Sequence, residues 1–235
     1  MSASAGSEPD LPAGEARVAP IPPREWPTAM RGAMAALTPP NPRHPLPARA
    51  GREGLPKALN LLGTLAQHPE LATAYHTFNG HLLFATTLST RQRELVVLRV
   101  GWVRRAEYEW LQHAVIAGEV GIAEDEIPRI AAGADAPGWG PLEAAMLRAV
   151  DELIADAEIG DATWATLTEH LDTQQVLDLI FTVGAYDVLA MAMKSARLQL
   201  DDDLRKWHSL FGLTVISSAR PNGEEASDGP LHETR

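Results

Sequence analysis

Three features of this 235-residue chain predict an all-α fold. Apolar residues recur at helical spacing almost without interruption from Leu55 to Leu204. Two capping boxes, Ser89-Thr-Arg-Gln92 and Asp172-Thr-Gln-Gln175, stand at the heads of long apolar runs. No pair of alternating segments flanks a hairpin turn. The expected organisation is a Pro-rich extended arm over 1–50, one helical domain over 51–210, and a polar tail over 211–235.

Proline marks the arm. Of the 18 prolines, 11 fall within residues 1–50, in stretches such as APIPPREWP. Each removes a backbone donor and fixes φ, which excludes regular helix or central strand. One short helix is expected over Thr28–Leu37, with Ile21, Trp26, Met30 and Met34 able to pin the arm to the body or to a neighbouring subunit. The body then opens with a helix over Leu55–Gln67. His68 caps a second, Pro69–Ala85, because a first-turn proline needs no donor. Ser89 begins a helix through about Arg104, and another runs from Ala106 to Glu119. A short helix, Ala123–Ala132, carries acidic residues at its start, where the helix dipole favours them. The Gly/Pro-rich stretch 133–141 is a loop. Leu142–Asp156 follows, then Asp161–Leu171 with Asp161 as N-cap, then a long apolar helix from Asp172 to about Leu198. The tail from Ser217 is expected to be irregular.

Composition excludes several functions. There is no cysteine, so disulfides, thiolate metal sites and cysteine nucleophiles are ruled out. The formal charge of −11 argues against a nucleic-acid partner, which favours a basic face. No run of about 18 uncharged apolar residues suggests a membrane span, and the acidic N-terminus lacks a signal-peptide core. A cytoplasmic setting is the expectation.

Without thiols, phosphate loops or a nucleophile elbow, chemistry must rest on His, Glu, Asp, Tyr and Arg. One cluster concentrates them: Arg91-Gln-Arg-Glu94 and Arg104-Arg-Ala-Glu107-Tyr-Glu109-Trp-Leu-Gln-His113. Glu109 and His113 lie four apart on one helix, so their side chains share a face. A carboxylate beside an imidazole orients it and raises its basicity, as a general base requires. Glu94 sits among Leu95, Val96, Val97 and Leu98; turned inward, it would be desolvated and its pKa raised. The same spacing also describes an ordinary solvated pair, with Glu94 matched to a nearby arginine. A metal held by Glu94, Glu109 and His113 is a third reading, weakened by the lack of a second nearby histidine.

The run LSTRQRELVVLRVGWVRRAEYEWLQHAVIAGEVGIAEDEI (88–127) resembles the carboxymuconolactone decarboxylase family, which includes the AhpD-like (alkylhydroperoxidase D-like) proteins. The likeness extends over about residues 55–200, through DAPGWGPLEAAMLRAVDEL (135–153), DATWATL (161–167) and VGAYDVLAMAMKS (183–195). It implies an AhpD-like helical bundle that assembles into dimers, trimers or hexamers. Glu94 matches the family's proton-relay glutamate and His113 its relay histidine. The peroxidase branch carries a Cys-x-x-Cys ending four residues before that histidine. Here those positions are Ala106 and Glu109, so dithiol peroxidase chemistry is impossible.

The resemblance therefore implies a cofactor-free acid/base lyase, a decarboxylase, or an isomerase, acting on a small carboxylated or lactone metabolite. Glu94, Glu109 and His113 are the expected catalytic groups. Tyr108, Trp110 at the pocket rim, and His81 are expected near the substrate. One of Arg91, Arg104 or Arg105 would hold its carboxylate, since a guanidinium binds carboxylates in a fork. Metals and other cofactors are not expected. The alternative is a non-catalytic helical oligomer or small-molecule binding protein on the same scaffold. A solvent-filled pocket at the cluster would favour chemistry, and a closed, fully paired cluster would favour the scaffold. Tyr186 and Asp187 interrupt the apolar helix, and Asp187 needs a partner.

Overall fold

Residues 14–45 and 56–214 are described by the structure, a computed structural model. Among them are eleven α-helices and no strand. In order, these are α1 (Met30–Ala36), α2 (Leu59–Leu65), α3 (Pro69–Gly80), α4 (Thr90–Val103), α5 (Glu107–Ala117), α6 (Glu126–Ala132), α7 (Pro141–Asp156), α8 (Asp161–His170), α9 (Thr173–Ala196), α10 (Asp202–Arg205) and α11 (His208–Phe211). The expected irregular tail from Ser217 lies outside the described residues.

Helix α4 is the hub. It buries every residue from Arg93 to Leu98, together with Val100 and Gly101, as a helix surrounded on all sides must. Helices α5, α6, α7 and α9 pack around it. Both capping boxes form. Ser89 accepts from Gln92 N while Gln92 Oε1 accepts from Ser89 N, and Asp172 and Gln175 repeat the exchange at α9. Three arginines fix α4 to its neighbours. Arg91 reaches Glu126 of α6 and Glu143 of α7. Arg99 spans Asp151 of α7 and the carbonyls of Ile130 and Ala131 at the end of α6. Arg104, just past α4, makes a two-pronged pair with Asp187 of α9.

Residues 14–45 lie against α2 and α3. Met30 and Ala33 form a second small core with Ala66 and Ala72, and Ile21, Trp26 and Met34 pack onto it. The Trp26 indole donates to Ile21 O at 2.7 Å, and Ile21 N donates to Gly63 O at 3.0 Å. His76, buried on α3, bonds Ala33 O at 2.9 Å. Two glycines permit this approach: a Cβ on Gly63 would sit 2.5 Å from Ile21 O, and one on Gly80 would sit 2.4 Å from Leu37 O.

Four details depart from the sequence expectation. The helix expected to run to Ala85 changes at Gly80 into one π turn, His81–Ala85. Helix α2 starts at Leu59, after Ala58 in a left-handed conformation (φ 55°). Helix α6 starts at Glu126, whose carboxylate instead accepts the N–H of Ala123 in the preceding turn. The cap of α8 is Gly160, whose N–H goes to Glu152 of α7 rather than to an Asp161 side chain. By length and composition, α9 does pass the test for a membrane-spanning helix, with a mean hydropathy of 1.7 over an 18-residue window. More than half of that window is buried inside this fold, and Asp178 and Asp187 interrupt the helix.

Gly80→Ala is expected to destabilise the protein by about 1–3 kcal/mol through overpacking against Leu37. Gly32→Ala on α1, whose Cβ would meet nothing within 4 Å, should be neutral or slightly stabilising. The midpoints of urea unfolding check both.

Candidate active site

Burial of the α4–α5 seam places an ionised carboxylate, an imidazole and a second, solitary carboxyl close together. Glu94 of α4 is 1% exposed. Its Oε2 meets His113 Nδ1 of α5 at 2.6 Å, and its Oε1 accepts from Arg93 Nη2 at 2.9 Å and Nε at 3.1 Å. Burial pushes the Glu94 carboxyl up, but His113 and Arg93 outweigh it and hold the group below the ordinary carboxylate range. An ionised carboxylate only accepts, so His113 Nδ1 must carry the hydrogen. In that tautomer a neutral ring has its lone pair on Nε2.

The supports of this pair come from three directions. Arg93 Nη1 donates to Leu83 O at 2.6 Å, a carbonyl within the π turn. The His113 ring meets Tyr186 of α9 edge to face, with centroids 5.2 Å apart and planes at 86°, a favourable aromatic geometry. Gly101 lets α5 approach α4: a Cβ there would lie 3.3 Å from Trp110 N and 3.6 Å from Glu109 Oε1.

Glu109, one turn before His113, is 2% exposed, and neither carboxyl oxygen has a hydrogen-bond partner. Burial, and after it the charge of Asp187, pushes its carboxyl well above the ordinary range. The two carboxyls are thus driven apart, Glu109 toward its protonated form and Glu94 toward its ionised form. This corrects the sequence expectation that Glu109 orients His113 through their spacing of four. The partner of His113 is Glu94, on the other helix.

The remaining candidates disperse. Tyr108 is buried and donates to Asp201 Oδ2 at 2.6 Å, away from the cluster. Trp110 is fully buried, with its indole N–H on Phe211 O and its ring 5.2 Å from Trp102, so it is a core residue and not a pocket rim. His81 pairs at 2.9 Å with Asp178, which is also held by Thr87 N and Oγ1. Arg91 and Arg104 are committed to carboxylates of the fold, which corrects their expected role as substrate anchors. Arg105 is exposed and lines a surface cavity with Tyr108. Neither that cavity nor a second one beside Pro20–Pro23 is lined by Glu94, Glu109 or His113. Sequence reasoning missed Arg93 as a site residue, although it directly precedes Glu94. It also gave Tyr75 no role; burial is the main cause that raises its hydroxyl pKa. Among the described residues, no group of three or more His, Asp or Glu is arranged to hold a metal ion.

The sequence pattern of the carboxymuconolactone decarboxylase family matches residues 69–152, from the start of α3 to near the end of α7. Over this segment the chain is similar to that family. The match spans Glu94, Glu109 and His113, and the bundle around it has the AhpD-like fold. A protein of unknown function from Agrobacterium tumefaciens superposes with a TM-score of 0.55 at 20% identity, covering 58% of this chain and 94% of that one. A peroxidase-related protein from Ralstonia eutropha JMP134 gives 0.56 at 19% identity, covering 70% and 95%. The debrominase Bmp8 gives 0.62 at 14% identity, covering 85% and 97%. No curated protein matches the chain in sequence. In the matched segment, the positions where the resemblance places the peroxidase dithiol hold Ala106 and Glu109, and the whole chain has no cysteine.

The raised pKa of Glu109 predicts a pH dependence of stability. The folded state holds a proton that the unfolded chain releases above its ordinary carboxylate pKa. Stability therefore falls as pH rises from that value toward the folded pKa, by about 1.4 kcal/mol per pH unit for this one group. Glu109→Gln should remove this slope, so that thermal melts from pH 5 to 9 show the variant gaining on the wild type as pH rises.

Proposed function

We propose that this protein is a cofactor-independent acid/base catalyst, a decarboxylase or isomerase acting on a small carboxylated or lactone metabolite. The observation that carries this reading is Glu109. A buried carboxyl with no partner costs about 1–3 kcal/mol, which a purely structural role leaves unexplained. It sits one turn from His113, whose partner Glu94 has its carboxyl driven the opposite way. Two carboxyl groups pushed apart by their surroundings are the ordinary signature of an acid and a base in one site.

The geometry supports one role for each group. Glu94, balanced by Arg93, fixes the ring of His113 and its tautomer. His113 Nε2 is the base that accepts a substrate proton in an isomerisation. Glu109 is the acid. In a decarboxylation, the bond to the substrate carboxylate breaks, CO2 leaves, and the electron pair enters a conjugated enolate. Glu109 then delivers its proton to carbon and is reprotonated from water. A neutral donor beside the developing negative charge is what that step needs. The closed Glu94–His113 pair taken alone favours the scaffold reading; the unpartnered acid beside it favours chemistry.

The protein is further proposed to self-associate through α9. Leu177, Phe181, Val188 and Met191 are each about half exposed and fall on one stripe of that helix, and Phe181 meets Phe78 of α3 edge to face. Large apolar groups aligned in this way on a surface mark an interface.

His113→Ala, and separately Glu109→Gln, is expected to lower kcat by about 10²–10⁴-fold while far-UV circular dichroism stays native. The assay follows CO2 release and ultraviolet absorbance over a panel of carboxylated lactones. Turnover unchanged in both variants would return the protein to the scaffold reading. Phe181→Glu should reduce the oligomer to a smaller species in light scattering coupled to size exclusion; an unchanged mass would exclude α9 as the interface.

A further inference from the structure

A cavity of about 330 Å³ opens between the start of α5 and the end of α9. None of its lining residues belongs to the Glu94–Glu109–His113 cluster. Its volume lies at the lower end of the roughly 300–1,000 Å³ typical of small-molecule sites. Three cations line it: Arg105 just before α5, Lys194 in the last turn of α9, and Arg197 just beyond it. Met193, Leu198 and Leu213, all buried, form an apolar wall.

The charge balance of the cavity runs against that of the chain. The protein as a whole carries −11, yet among the described residues no carboxylate pairs with Arg105, Lys194 or Arg197. The lysine donates only to a backbone carbonyl, Arg104 O. The cavity has one carboxylate, Glu107, and it is already engaged: both oxygens accept the N–H of Leu213, and His208 Nε2 lies 3.3 Å away. Three cations that have no counter-charge among the described residues, beside an apolar wall, present the complement of an amphiphilic anion. Guanidinium groups bind a carboxylate in a fork while the wall takes its carbon skeleton. An inorganic anion would leave that wall uncovered.

We infer that this cavity is a second binding site, for a small organic carboxylate whose charge is held by Arg105, Lys194 and Arg197 and whose apolar body lies on Met193, Leu198 and Leu213. This reassigns Arg105 from the acid/base site to an anion site of its own.

Calorimetric titration of the full chain with hexanoate, its neutral counterpart hexanamide, and inorganic phosphate tests the assignment. Hexanoate should bind, and should weaken as salt rises. Hexanamide and phosphate should each bind about tenfold or more weakly than hexanoate. Arg105→Gln should weaken hexanoate by about tenfold or more, and the Arg105→Gln/Arg197→Gln pair further. Arg105 is exposed and makes no side-chain bond among the described residues, so its variant keeps the fold even if Arg197→Gln does not. His113→Ala should leave binding unchanged. Several results would overturn the proposal: no hexanoate binding at millimolar concentration, equal binding of hexanamide or phosphate, full affinity in Arg105→Gln, or loss of binding in His113→Ala.

Discussion

Glu94 carries its charge in the middle of α4, where an isolated carboxylate would cost several kcal/mol to desolvate. Arg93 supplies the counter-charge and His113 a further hydrogen bond. Each support leads outward to a different part of the molecule. Arg93 is anchored on the π turn through Leu83 O, His113 is brought in by the close approach of α5 at Gly101, and its ring is backed by Tyr186 of α9. The meeting of three elements at one point is the condition for keeping that single charge inside.

The other arginines of the α4 segment perform a related task farther out. Arg91, Arg99 and Arg104 fix its distance and register to α6, α7 and α9 through paired hydrogen bonds to carboxylates and carbonyls. Arg91 holds the Glu126 carboxyl down to about 2, which marks how firmly it is engaged. Forked, charge-assisted bonds define geometry more sharply than apolar contact does. Arg91 and Arg104, which look in sequence like substrate anchors, are therefore committed to architecture, and Arg105 is left to line the cavity at the end of α9.

Much of the helical order was legible because it depends on local signals. The capping boxes at Ser89 and Asp172, the proline at the first position of α3, and the cap at His68 act within one turn and are read within one turn. The resemblance named Glu94 and His113 as relay residues, but their direct pairing was not legible, since the two residues lie on different helices. What spacing suggested, Glu109 with His113, proved to be proximity without a bond. Arg93 was missed because adjacent residues on a helix point apart, and only a long guanidinium reaching back closes that gap. The burial of Trp110 and the partner of His81 depend on tertiary packing, about which periodicity is silent.

The π turn at His81–Ala85 has an evolutionary meaning as well as a structural one. A π turn amounts to one residue inserted into an α-helix, and one residue of an α-helix corresponds to a rotation of about 100°. Deleting a single residue there would restore a regular helix and swing the Leu83 carbonyl away from Arg93. The sequence length between Pro69 and Ser89 is thus constrained by the charge balance of a site on the next helix. Relatives that differ by one residue in this stretch would need another way to neutralise the same glutamate.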